Sequence, residues 1–184
     1  MGLRILLFGA DPARQQLELC RPALYRVAYS WCHDRALADD LVQDTLVKAI
    51  SRRAQLRDSE RLQGWLFAIL NNAFRDHLRR RRNHDDIDEL ADELPGSAPT
   101  PEEQRASSEI VARVRAAIAL LPLGQRQVVT LVDLEDLSYA EVAQALAIPI
   151  GTVMSRLCRA RAALRDALTD ERATAQVVAL GSRR

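Results

Sequence analysis

Apolar residues recur at helical spacing along most of the chain, and no stretch alternates convincingly enough to predict a ladder of strands. Asp11-Pro12 suits a helix start, and Leu17, Leu24, Val27, Ala28 and Trp31 extend a first helix that Pro22 should kink or divide. A second is predicted from Asp34 to about Ile50. It buries Leu37, Leu41, Val42, Leu46 and Ala49 and leaves Asp39, Asp40, Gln43 and Asp44 outward. A third begins near Ser59, carries Leu62, Trp65, Leu66, Ile69, Leu70, Ala73, Phe74 and Leu78, and ends in Arg79-Arg80-Arg81-Arg82. After a break the pattern resumes at Thr100-Pro101-Glu102-Glu103, which supplies an N-cap, a first-turn proline and a capping-box glutamate. That helix runs to about Leu120, Pro122 interrupts, and another spans Gly124–Leu134.

The last patterned stretch carries the sharpest local signal. Ser138 with Glu141 three residues on is a capping box, and Val142, Ala143 and Leu146 give the helix it opens a buried side. Pro149 cannot continue that helix and Gly151 tolerates backbone approaches closed to other residues, so a tight turn is expected within Ala147–Gly151. Helical spacing then returns. Val153, Leu157, Ala160 and Leu164 form an apolar stripe, while Thr152, Ser155, Arg156 and Arg159 gather on the other side. A capped helix, a short turn and a second helix with one packing face and one arginine face is the layout of a DNA-reading helix-turn-helix.

Charge sharpens this picture. The chain of 184 residues is nearly neutral, with a net charge of +1, yet Gly151–Arg165 holds four arginines and no acid. Residues 71–83 hold five arginines against Asp76 alone. Arginine suits phosphate contacts and bidentate pairing with guanine. Asn71, Asn72 and Arg75 lie within a turn of one another there, and asparagine offers donor and acceptor to an exposed base edge. Asp39, Asp40, Gln43 and Asp44 form the opposite kind of surface, suited to arginines on a protein partner. Between the basic blocks, residues 84–94 carry six acids and no Lys or Arg, followed by Pro95, Gly96, Ser97, Pro99 and Pro101. Such a stretch cannot bury enough apolar surface to offset its ordering entropy and is expected to be a flexible linker.

The expected organisation is therefore all-α, with two small helical domains. A first domain covers residues 11–83, the acidic, proline-rich linker 84–100 and a helix-turn-helix domain 101–170. Residues 1–10 and 171–184 are terminal extensions. The apolar run Leu3–Phe8 is too short to span a bilayer and lacks a signal-peptide cleavage pattern, which predicts a cytoplasmic chain without membrane insertion. Cys20, Cys32 and Cys158 have no CxxC spacing, and His33, His77 and His84 have no spaced ligand set, so neither a metal nor any other cofactor is expected. No nucleophile with a base and no Gly-rich phosphate loop argues for an enzyme.

The order of these parts resembles the extracytoplasmic-function (ECF) sigma factors, bacterial initiation subunits of RNA polymerase. Residues 34–49 look like their region 2.2, residues 64–80 like the helix through regions 2.3 and 2.4, and the segments opening at Leu121, Leu137 and Pro149 like region 4. The resemblance implies a partner in core RNA polymerase, through its β′ clamp helices and β subunit, with Asp39, Asp40, Gln43 and Asp44 facing the clamp. It implies that Asn71, Asn72, Arg75, Arg79 and Arg80 lie on the helix engaging the melted promoter −10 element, and that Arg52–Leu62 corresponds to a loop capturing a flipped base. Thr152, Ser155, Arg156 and Arg159 would meet the −35 duplex in the major groove. An anti-sigma factor is a further implied partner. Two other readings are a dimeric helix-turn-helix regulator on a palindrome, which leaves the acidic patch unused, and a sigma-like decoy that titrates an inhibitor, which has no need of the arginine face.

Overall fold

A computed structural model describes residues 12–53, 56, 61–85 and 109–181, with side chains over a slightly narrower set. The described residues form seven α-helices and one π-helical turn, and no strand. In chain order they are α1 (Pro12–Cys32), α2 (Arg35–Ser51), α3 (Leu62–Asp85), α4 (Glu109–Ala119), α5 (Leu123–Val129), the π-helical turn (Thr130–Leu134), α6 (Tyr139–Leu146) and α7 (Ile150–Gly181). They divide into two compact units. One is built on α1 to α3 and takes in Gln144–Ala147; the other is built on α4 to α7 and takes in Ser30–His33. The acidic linker beyond Asp85, the Leu3–Phe8 run, the Thr100–Glu103 helix start and most of the Arg52–Leu62 loop lie outside the described residues, while residues 84–85, expected to open the linker, end α3.

In the first unit, α2 packs on α3. Asp34 caps α2, its carboxylate accepting from the Leu37 amide at 3.1 Å. Ala38, Leu41, Val42, Leu46 and Ala49 are buried on one side of α2, against a core that includes Leu66, Phe67, Leu70, Ala73 and Phe74 from α3. Leu37, Trp65 and Leu78 are only half-buried. Pro22 does not divide α1, which runs as one helix of 21 residues with the proline inside it. A proline ring removes one backbone donor and crowds one carbonyl, and Leu17, Leu24, Val27 and Ala28, buried on both sides of it, outweigh that local loss.

In the second unit, α7 packs on both α4 and α5. Val128, Leu131, Val142, Val153, Leu157 and Ala160 are buried, and Leu164 is half-buried. The helix expected over Gly124–Leu134 changes hand-hold at Thr130, whose hydroxyl donates to the Arg126 carbonyl at 2.7 Å as the ladder loosens into the π-helical turn.

The capping box forms as expected. The Ser138 amide donates to Glu141 Oε2 at 2.8 Å, and the Glu141 amide donates to Ser138 Oγ at 3.3 Å. The turn between α6 and α7 corrects the sequence reading, because Gly151 is not its special residue. Ala147 is, with φ 53°, while no glycine among the described residues has positive φ. Ala147 N–H donates to the Gln144 carbonyl at 3.3 Å and Ile148 N–H to the Ala143 carbonyl at 3.0 Å. That pair of bonds is a Schellman motif with alanine where glycine is favoured. A left-handed conformation costs an L-residue about 1–2 kcal/mol, and glycine's extra unfolded-state entropy offsets part of the relief. Ala147→Gly is therefore expected to raise stability by about 0.5–1 kcal/mol, read as a higher midpoint in chemical denaturation; a lower midpoint would contradict it.

Candidate nucleic-acid interface

Pro149 starts α7 without a backbone donor to lose, and its carbonyl accepts from Thr152 at 2.9 Å and Val153 at 3.2 Å. With Val153, Leu157 and Ala160 turned into the core, the other side of the helix is left outward. Thr152 and Ser155 are half-buried there, and the Ser155 hydroxyl donates to the Thr152 carbonyl at 3.1 Å. Arg159 is exposed, its Nε donating to the Ser155 carbonyl at 3.3 Å, which holds the stem along the helix.

The four arginines of the segment are not equivalent. Arg156 is half-buried and folds back over α5, so that a Cβ added to Gly124 would sit 2.9 Å from its guanidinium carbon. Glycine at 124 is what lets this guanidinium lie so close to the α5 backbone. Arg161 is taken by Asp133 of the π-helical turn, with Nε 3.1 Å from the carboxylate and a second, shorter bond beside it. That hydrogen bond raises the Arg161 pKa above the ordinary arginine value. Gly151 has nothing within 4 Å of where a Cβ would stand, so the fold leaves the start of α7 open to a close approach from outside.

On α3, Asn72, Arg75, Arg79 and Arg80 are exposed along one side. Asp76 organises the last two, its carboxylate pairing with Arg79 at 3.1 Å and its carbonyl accepting from Arg80 Nε at 3.3 Å. Asn71 departs from the expectation of a base-contacting surface. It is 2% exposed, and its amide donates to the Ala145 carbonyl at 3.2 Å within the first unit. Stepping one residue along a helix turns a side chain by about 100°, enough to carry Asn71 from the outward face of Asn72 into the interior.

Asp39, Asp40, Gln43 and Asp44 are all exposed on α2. Lys48 lies 3.7 Å from Asp44, an exposed pair one turn apart that partly offsets the repulsion between Asp40 and Asp44. Val47 and Ile50 are exposed beside them at 66% and 48%. None of the three cysteines is in a disulfide, and no group of His, Cys, Asp or Glu among the described residues is arranged to hold a metal ion. No described helix is long and apolar enough to cross a membrane.

Residues 17–84 match the family model for Sigma-70 region 2, and residues 112–164 match that for Sigma-70, region 4. The ECF RNA polymerase sigma factor EcfG of Rhodopseudomonas palustris is 36% identical over 155 residues, spanning 84% of this chain and 83% of that protein. The chain belongs to the ECF sigma factors. The ECF sigma factor SigE of Mycolicibacterium smegmatis is 37% identical over 147 residues, of which this chain spans 57% of the length. Among solved structures, the sigma factor RpoE from Bartonella quintana, in complex with the anti-sigma factor NepR, is 31% identical with a TM-score of 0.74. That similarity covers 87% of this chain and 98% of RpoE. CnrH, in complex with the cytosolic domain of CnrY, is 30% identical with a TM-score of 0.61, covering 88% and 91%. Sigma factors are transcription regulators rather than catalysts, and this ECF sigma factor carries both the region 2 and region 4 parts that promoter-specific initiation requires.

Sequence reasoning missed three features of this site. Arg126 looks like a surface arginine in the run Gly124–Val129 but is 8% exposed, donating to the Ala119 and Leu121 carbonyls at 2.7 and 2.9 Å. Burial pulls its pKa below the ordinary arginine value. Asp133 has no local signal as the partner of Arg161, 28 residues away. Met154 gives no signal among the apolar residues of α7, and it is 54% exposed.

Proposed function

We propose that this chain binds core RNA polymerase through the acidic face of α2 and directs initiation by holding a −35 duplex with α7 and the melted −10 strand with α3. The observation that carries the reading is the pairing, in one ECF sigma chain, of an outward carboxylate surface on α2 with separate arginine surfaces on α3 and α7. Asp39, Asp40, Gln43 and Asp44 meet the polymerase clamp. Asn72, Arg75, Arg79 and Arg80 track the −10 strand, with Asn71 behind them. Thr152, Ser155 and Arg159 face the −35 base edges, and Arg156 joins them by swinging off Gly124. The domain limits follow the same division: 11–83 for the polymerase and −10 unit, 84–100 for the linker, and 101–170 for the −35 unit. Joining two weak readers by a tether raises the effective concentration of the second once the first is bound, so neither half has to grip strongly alone.

Control by an anti-sigma factor is part of this reading, supported by the relative RpoE, solved in complex with the anti-sigma factor NepR, and by CnrH, solved in complex with the cytosolic domain of CnrY. The site of action is the cytoplasm, where polymerase and promoters are.

In vitro transcription tests it. The purified chain added to core polymerase on a library of promoters is expected to start RNA from a subset sharing −35 and −10 elements. Arg159→Ala is expected to reduce use of those promoters by tenfold or more, the worth of one good arginine contact to a base. A chain that cannot associate with core polymerase, even free of inhibitor, would sink the proposal.

A further inference from the structure

The outward side of α7 over its first three turns is less charged than its arginines suggest. Ile150 is 49% and Met154 54% exposed, and Cys158 is exposed as well. At intervals of four residues these three share one edge of the helix, beside the edge that carries Ser155 and Arg159. Met154 stands at the centre of that edge, one turn in from the helix start. Leaving a methionine half in water forgoes the stabilisation of burying it, and nothing in the fold asks for an apolar group there.

Charge decides what covers this edge. The helix from Gly151 to Arg165 has four arginines and no acid, which fits an anionic occupant and not an apolar protein groove. The open space around Gly151 admits that occupant closely at the helix start. Among the base edges of a DNA major groove only thymine offers an apolar group, its C5-methyl. A flexible, polarisable thioether adapts well to a small methyl.

We propose that Met154 is a specificity-determining residue of this sigma factor, reading the C5-methyl of a thymine in the −35 element while Ser155 and Arg159 make polar contacts beside it. The proposal rests on the assignment of α7 to the −35 duplex. It adds an apolar contact to a face that otherwise meets base edges through hydroxyls and guanidinium groups, and it makes one −35 position sensitive to a single methyl group.

Uracil differs from thymine only by that methyl, which gives a direct test. Holoenzyme made from the full chain and core polymerase is used first to select active promoters from a library randomised at −35. Each thymine of the selected −35 duplex, on either strand, is then replaced singly by uracil and promoter-complex affinity measured. At one thymine the replacement is expected to weaken binding about fourfold, the worth of one methyl removed from water. Met154→Ala is expected to bind thymine and uracil duplexes equally well, and Met154→Leu to keep most of the difference. Because Met154 is exposed, both variants should unfold at the wild-type midpoint. Selected elements without thymine, no methyl-sensitive position, or a Met154→Ala variant as sensitive as wild type would each overturn the proposal. A fall in core affinity with the uracil response intact would overturn it too, and would assign the edge to a protein. Initiation with no −35 preference at all would instead overturn the assignment of α7, a distinguishable failure.

Discussion

Replacing Arg126 by methionine is expected to lower the stability of the second unit by about 3–5 kcal/mol, the largest effect of any single substitution considered. The last carbonyls of a helix have no partner within it, and α4 ends at Ala119. Arg126 reaches across from α5 and donates to the carbonyls of Trp31, Ala119 and Leu121, three charge-assisted hydrogen bonds of which two would already be worth about 1.5–3 kcal/mol each. Methionine matches the stem but supplies no donor, so all three carbonyls lose it, two of them in the interior. Lysine, with a point charge in place of a fork, should recover no more than one bond and lie between the two. Denaturant titration of the three proteins checks this. A methionine variant within about 1 kcal/mol of wild type would mean that water replaces the guanidinium, and that its burial carries little weight.

The second large effect belongs to the acidic face of α2. Asp40→Ala with Asp44→Ala is expected to weaken association with core polymerase by tenfold or more, while affinity for a −35 duplex stays within twofold. Both carboxylates are exposed and four residues apart, so their removal relieves a like-charge pair and places a better helix former in α2. Thermal unfolding should thus stay level or rise slightly, which separates a lost contact from a lost fold. Attraction between such a surface and a basic partner is screened by salt, so the gap between wild type and variant should narrow as ionic strength increases. Equal losses in polymerase and DNA binding would show that the surface has been assigned wrongly.

Much of this architecture was legible along the chain because it depends on neighbours in sequence. The register of α2 follows from Ala38, Leu41, Val42, Leu46 and Ala49, and the start of α6 from Ser138 and Glu141, three residues apart. What escaped depends on partners far away or on strain. Nothing beside Arg126 reveals that three carbonyls wait for it, and nothing beside Asn71 reveals that its amide faces inward while that of Asn72 faces out. The turn after α6 falls within the expected Ala147–Gly151, but the residue in it that takes the left-handed conformation is Ala147 and not the permissive Gly151, because the Schellman bonds to Gln144 and Ala143 close there. Pro22 suggests a kink or a division on propensity alone, and the division is overridden by packing that a local pattern does not show.

The Asp133–Arg161 pair bears on how firmly the rear half of this protein can hold nucleic acid by itself. A cation already neutralised from within does not neutralise a phosphate and so releases none of the counterions condensed on DNA, which leaves the helix proposed to face the duplex at most three of its four arginines for that exchange. Random genomic sequence, which offers phosphates but few correct bases, is thereby a poorer trap for the idle subunit. It stays in circulation, available to the enzyme it serves.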